Sequence, residues 1–97
     1  MAIIEIRWTN RALRQLSDAY DYLQERSEQG RLAVKHRVVI ALTALESYPE
    51  IGREGRVIGT YELFVTGTPF ILVYRLKRNR IEVIAFLHSS RKWPSAT

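Results

Sequence analysis

The spacing of apolar positions changes once along this chain, near Gly52, and splits it into a helical part and a stranded part. Residues 2–8 alternate, with Ile4, Ile6 and Trp8 on one side and Ile3, Glu5 and Arg7 on the other, which predicts a first strand. Thr9-Asn10 offers a helix N-cap. Beyond it Leu13, Leu16, Ala19, Tyr20 and Leu23 recur at helical spacing, with Arg11, Arg14, Asp18, Asp21 and Glu25 on the wet face. Gly30 is expected to break this helix. A second helix then carries Val34, Val38, Ala41, Leu42 and Leu45 on one stripe and stops before Pro49. Two amphipathic helices joined by a few polar residues predict a helix hairpin.

After Gly52 the period becomes two. Val57–Val65, Phe70–Lys77 and Ile81–Leu87 are rich in β-branched and aromatic residues, and Thr66-Gly67-Thr68-Pro69 and Arg78-Asn79-Arg80 separate them as turns. Such short connections predict an antiparallel meander. The fold class is therefore α+β: an N-terminal strand, then a two-helix antiparallel hairpin packed on a twisted antiparallel sheet that ends in a three-stranded meander. Phe70, Leu72, Tyr74 and Leu76 share one face of their strand, opposite Ile71, Val73, Arg75 and Lys77. On the last strand, Val83, Ala85 and Leu87 oppose Ile84, Phe86 and His88. Both strands are apolar on both faces, so the sheet centre is expected to be covered twice, by long flanking side chains or by a partner. Tyr20, Tyr22 and Tyr48 are assigned to packing, and Ser95-Ala96-Thr97 to a frayed end.

Charge changes the picture more than composition does. Residues 1–50 carry seven basic and seven acidic side chains, whereas residues 51–97 carry eight Lys/Arg against three acids, so the whole net charge of +5 sits in the second half. One segment is thus built to meet something negative. The 97 residues suit a single domain over 1–97, and no internal linker or repeat divides them. Absence of cysteine excludes disulfides and thiolate metal sites. His36 and His88 lack ligand spacing, so neither a metal nor another cofactor is expected. No run approaches a membrane span, and Glu5 and Arg7 interrupt any leader-like stretch, which predicts a cytoplasmic protein without membrane contact.

Several short motifs occur in order: Trp8-Thr9; Ala12 and Leu16; Pro49-x-x-Gly52-Arg53; Gly59-Thr60-x-Glu62-Leu63; Thr68-Pro69-Phe70 leading to Val73-Tyr74-Arg75; and His88-x-x-Arg91-x-Trp93-Pro94. Taken together they resemble the RelE/ParE superfamily of toxins from bacterial type II toxin–antitoxin modules, over nearly the whole chain. The resemblance implies a small α+β toxin neutralised by a cognate antitoxin encoded beside it, whose acidic segment covers the sheet. Operator DNA would be bound only through that antitoxin, since no helix-turn-helix is legible here. One departure stands at Tyr61, where many relatives carry Arg in a Gly-Thr-Arg-Glu-Leu run.

The superfamily divides by target. RelE-like members are ribosome-dependent endoribonucleases that cut mRNA; ParE-like members trap DNA gyrase and cut nothing. A nuclease would need a proton acceptor, a cation on the phosphate and an acid, for which His88, Arg91, Arg53 and Arg56 are the candidates, with Tyr61 or Trp93 to stack a base. Against that, residues 66–73 contain no Arg or Lys, Ile71 stands near where RelE-like hairpins place an arginine, and the tail after His88 is short. A gyrase inhibitor needs only a surface, and Arg53, Arg56, Arg75, His88, Arg91 and Trp93 are the candidates for target binding. The ParE-like reading is favoured, with catalytic residues none in that case; the RelE-like nuclease is the alternative, and an inactive module that only binds nucleic acid or protein is the second. Each candidate also has a plain structural reading: a backbone-bonded histidine, solvated loop arginines, Arg75 paired with Glu82 or Glu62, a tryptophan covering the sheet edge.

Overall fold

The computed structural model describes residues 4–91 together with Trp93, so the expectations for Ile3 and Ser95–Thr97 lie outside the described residues. Its elements run β1 (Glu5–Trp8), α1 (Asn10–Arg26), α2 (Glu28–Ser47), β2 (Arg53–Glu54), β3 (Tyr61–Phe64), β4 (Phe70–Lys77) and β5 (Arg80–His88). They form one five-stranded sheet in the order β1-β5-β4-β3-β2. The three-stranded meander is present, antiparallel throughout, and β1 joins its outer edge parallel to β5. The sheet is therefore mixed. Parallel pairing of β1 requires a long crossover, and the helix hairpin is part of it.

Helix α1 begins where Thr9 caps it, the threonine hydroxyl accepting from Ala12 N at 3.1 Å. Thr9→Ala should lower stability by about 1 kcal/mol without changing the fold, as denaturant unfolding would register. The buried stripe starts at Ala12 and continues through Leu16, Ala19 and Leu23. Leu13, expected on that stripe, is exposed, because one residue further along rotates the side chain about 100° off the buried face. The break between helices falls at Ser27, not Gly30. Ser27 is extended and serves both helices: its N–H donates to Leu23 O at 2.8 Å and its hydroxyl accepts from Gly30 N at 3.0 Å. Gly30 thus lies inside the first turn of α2, where its N–H needs a capping acceptor. Val38, Ala41 and Leu45 carry α2 onto the sheet, with Val34 and Leu42 beside them. Tyr22 and Tyr48 do not pack; both are exposed, and Tyr22 lies under the Arg26 guanidinium, 3.8 Å from its ring centre.

The stretch 57–65 is not one strand. Residues 57–60 form a turn closed by Thr60, whose N and Oγ1 both donate to Val57 O at 3.1 and 2.6 Å, and only Tyr61–Phe64 is extended. Gly59, at φ +85°, supplies the left-handed residue this turn needs. Arg53–Glu54, read as loop, makes a two-residue edge strand on β3, in register with Glu62 and Tyr61.

A β-bulge reorders the last strand. Tyr74 pairs with Val83 and Val73 with Ala85, which leaves Ile84 without a partner. The extra residue reverses the alternation, so Ile81, Val83 and Phe86 face the helices while Ala85 and Leu87 face away. That differs from the uninterrupted alternation expected of Val83, Ala85 and Leu87. Two apolar clusters result. The larger lies between hairpin and sheet around Leu45, Val65, Leu72, Tyr74, Ile81 and Val83, all fully buried. Each such side chain contributes about 1.5–3 kcal/mol on leaving water. The smaller cluster, Ile71, Val73, Ala85 and Leu87, lies on the far face, where Ile84 and Trp93 pack on it.

Candidate functional site

Three of the basic residues of the second half, Arg53, Arg56 and Arg75, collect on the far face of the sheet. β3 alternates: Tyr61 and Leu63 face the helices, so Glu62 and Phe64 face away. Glu62 is buried, its side chain 1 % exposed, a carboxylate in an otherwise apolar setting. Its Oε2 accepts from Arg56 N at 3.0 Å, and its Oε1 lies 3.5 Å from the guanidinium nitrogens of both Arg53 and Arg56. Burying a carboxylate is costly unless such partners pair and hydrogen-bond with it. Both arginines are half exposed, so they neutralise Glu62 while keeping free edges in water. The Arg53 guanidinium also sits 5.5 Å from the Phe64 ring centre.

Arg75, on β4, joins this group. It stands opposite Glu82 in register, yet its guanidinium leans the other way, over Gly59, where a Cβ would lie 3.4 Å from Nη1. Trp93 completes the arrangement. Its ring packs on the smaller cluster, its carbonyl accepts from Arg56 Nη1 at 3.3 Å, and the Arg11 guanidinium lies 5.8 Å from its ring centre. The Trp93 indole Nε1 is buried with no hydrogen-bond partner among the described residues.

His88 and Arg91 are elsewhere. His88 pairs in register with Phe70 and meets its ring edge-on at 5.7 Å, on the helix side of the sheet. There, Gln15 and Asp18 of α1, Phe86, His88 and Arg91 line a recess of about 350 Å³. The imidazole is exposed and its Nδ1 accepts from Ser90 N at 3.1 Å. The six residues singled out from the sequence therefore divide into four and two. Arg53, Arg56, Arg75 and Trp93 come together on the far face; His88 and Arg91 are turned to the helices. Ile71, near the place where an arginine was expected of a nuclease, is buried in the smaller cluster. Tyr61 stacks on Tyr74, centres 5.5 Å apart, and points to the helix layer, so having tyrosine there takes no cation from the arginine face.

Sequence reasoning missed three contributors: Glu62 as the organiser of the arginines, Arg11 beside Trp93, and Gln15, whose Oε1 accepts from Phe86 N at 2.9 Å beyond the end of β1. For Glu62 a signal was present: a lone carboxylate in an apolar strand, two residues after Thr60. Among the described residues no group of three or more His, Cys, Asp or Glu could hold a metal, and no helix is long and apolar enough to cross a membrane.

Comparison with known proteins decides the family. Residues 6–93 match the family model described as the ParE toxin of the type II toxin–antitoxin system parDE. The chain belongs to the ParE toxin family. A curated relative named "Putative toxin Y4kP", from Sinorhizobium fredii, is 37% identical over 89 residues, 92% of each chain. Among solved structures, one titled the chromosomal ParDE TA system from P. aeruginosa superposes with a TM-score of 0.76 at 22% identity, over 91% of this chain and 98% of that one. The YoeB dimer from Staphylococcus aureus, at 18% identity and a TM-score of 0.56, covers 87% of this chain and 94% of its own. Those two likenesses are likenesses of fold. This ParE-family chain is therefore the toxin of a type II toxin–antitoxin module, which implies a cognate antitoxin as its partner.

Proposed function

We propose that this ParE-family toxin acts as a cytoplasmic inhibitor of DNA gyrase, with residues 1–97 working as one toxin domain. The observation that carries the reading is the division of the candidates: His88 lies on the helix side, whereas Arg53, Arg56, Arg75 and Trp93 gather on the far face. Cutting mRNA would need a proton acceptor within about 3 Å of a ribose hydroxyl whose phosphate the arginines hold. Arg91 alone stands on the His88 side; Arg53, Arg56 and Arg75 lie across the β-layer from both, so the candidate nuclease set does not converge on one phosphodiester. Docking makes no such demand. The far face combines half-exposed guanidiniums with an apolar cluster under Trp93, the kinds of group that dominate protein interfaces.

The test is gyrase cleavage of supercoiled plasmid beside primer extension on mRNA in a translation extract. Wild-type toxin is expected to accumulate cleaved DNA and leave transcripts intact. Trp93→Ala and Arg75→Ala should each weaken the gyrase effect about tenfold or more, while His88→Ala should leave it unchanged. Codon-phased mRNA cuts that vanish in His88→Ala would replace this reading with the nuclease one.

A further inference from the structure

A second recess opens at the opposite end of β4 and β5, away from the arginine face. It has a volume of about 700 Å³ and lies between the segment following α2 and the base of the β4–β5 hairpin. Ile81, fully buried, and Leu76 line it, and Ile4 forms one wall. Its rim is unlike an ordinary surface. Tyr48 is 67 % exposed and Ile51 43 %, so two large apolar side chains stand in water side by side with the opening. Lys77 and Arg80 flank the recess against one acid, Glu50. Arg80 Nε is buried and has no hydrogen-bond partner among the described residues, a cationic donor removed from water.

We propose that this recess receives a segment of the cognate antitoxin in which an apolar side chain stands next to a carboxylate. The apolar group would lie on Leu76 and Ile81 beneath Tyr48, and the carboxylate would accept from Arg80. Volume and apolar walls exceed what a simple anion needs and suit a side chain of a peptide. Charge selects among protein occupants. A second copy of this chain would bring Lys77, Arg78 and Arg80 against their own kind, at the rim of a protein already at +5, whereas an acidic segment is attracted. The recess lies apart from Arg53, Arg56, Arg75 and Trp93, so antitoxin held here would be anchored without competing for the target face. This inference holds whichever macromolecule the toxin poisons.

Two variants test it, Arg80→Glu and Tyr48→Ala, both at side chains outside the core and outside the arginine face. Dissociation of the intact antitoxin from immobilised toxin is expected to quicken about tenfold or more in each, since interface changes act mainly on the off-rate. Gyrase poisoning by the free variants should match wild type, which separates failure here from failure of the gyrase reading. In the wild-type complex, amide exchange of residues 48–51 and 76–81 should slow relative to free toxin. Unaltered dissociation in both variants, with exchange unchanged at those residues, would overturn the proposal. So would sedimentation showing the toxin alone pairing with itself in a way that Tyr48→Ala abolishes, because the occupant would then be a second copy.

Discussion

Gly52→Ala is expected to remove about 2–4 kcal/mol of folding stability, more than any exposed substitution in this chain. A Cβ at position 52 would lie 2.6 Å from Tyr74 Oη and 3.1 Å from the Glu62 carbonyl oxygen. Neither neighbour can retreat. Tyr74 is fully buried, stacked on Tyr61, and its hydroxyl is held twice: it donates to Pro49 O at 2.9 Å and accepts from Gly52 N at 3.0 Å. The tyrosine is the post to which the segment leaving α2 is tied before it turns into β2, and that segment brings Arg53 and Arg56 to Glu62. Urea unfolding would measure the loss. A wild-type midpoint in Gly52→Ala would mean that the 49–52 segment moves freely and the post is not needed.

Tyr74→Phe tests the same anchor from the other side. It keeps the ring and leaves Gly52 N and Pro49 O without their partner, which should cost about 1–3 kcal/mol at neutral pH. The pH dependence follows from the direction of the shift. Burial, the larger cause, raises the Tyr74 pKa above its ordinary 10.0, and the Gly52 N–H opposes it. The folded state then keeps its proton where the unfolded chain has lost it. Stability from this group is fully present below pH 10.0 and declines as pH rises from there through the folded value. Tyr20 is raised by burial too, so the wild type loses stability at high pH from two groups. Tyr74→Phe should retain only the Tyr20 part, giving a shallower alkaline limb in thermal melts.

This anchor also explains which parts of the molecule could be read in advance. Helices α1 and α2, β4 and the turn after Lys77 follow from local periodicity, because each buries one face against the same core. Thr9 was legible as a cap because a hydroxyl beside a helical run has one common use. What escaped local reading depends on contacts between distant residues. Gly52 belongs to Tyr74, and two of the motifs that carried the resemblance, Pro49-x-x-Gly52-Arg53 and Val73-Tyr74-Arg75, prove to be a single structural unit. The bulge at Ile84 has no marker in residue type, yet it decides which face Phe86, Leu87 and His88 occupy. From plain alternation His88 had no fixed relation to the loop arginines; once the bulge and the register with Phe70 are in place, it lies on the helix side. Ser27 was overlooked because glycine is the commoner helix breaker, whereas here an extended serine caps both helices at once.

Glu62 is the second residue whose replacement should have a large effect, and two substitutions separate its roles. Glu62→Ala removes the acceptor for Arg56 N and leaves a space where a side chain only 1 % exposed had been. About 2–4 kcal/mol should be lost, and the turn at 55–60 should loosen. Glu62→Gln keeps the volume and a carbonyl oxygen for Arg56 N, gives up the ionic attraction, and sets an amide NH2, a donor, where Oε1 had faced two guanidiniums. Because Arg53 and Arg56 are half exposed, water can take over their charge, and the loss should be about 1–2 kcal/mol, below that of Glu62→Ala. The glutamine variant would therefore fold while releasing two guanidiniums on the far face. If that face is where the toxin meets its target, Glu62→Gln should act on gyrase at least as strongly as wild type for equal folded protein, and its binding should become more sensitive to salt. A variant that is folded by circular dichroism but inert toward the target would mean that the carboxylate itself takes part in recognition, and that the arginines depend on it for their placement and not only for neutralisation.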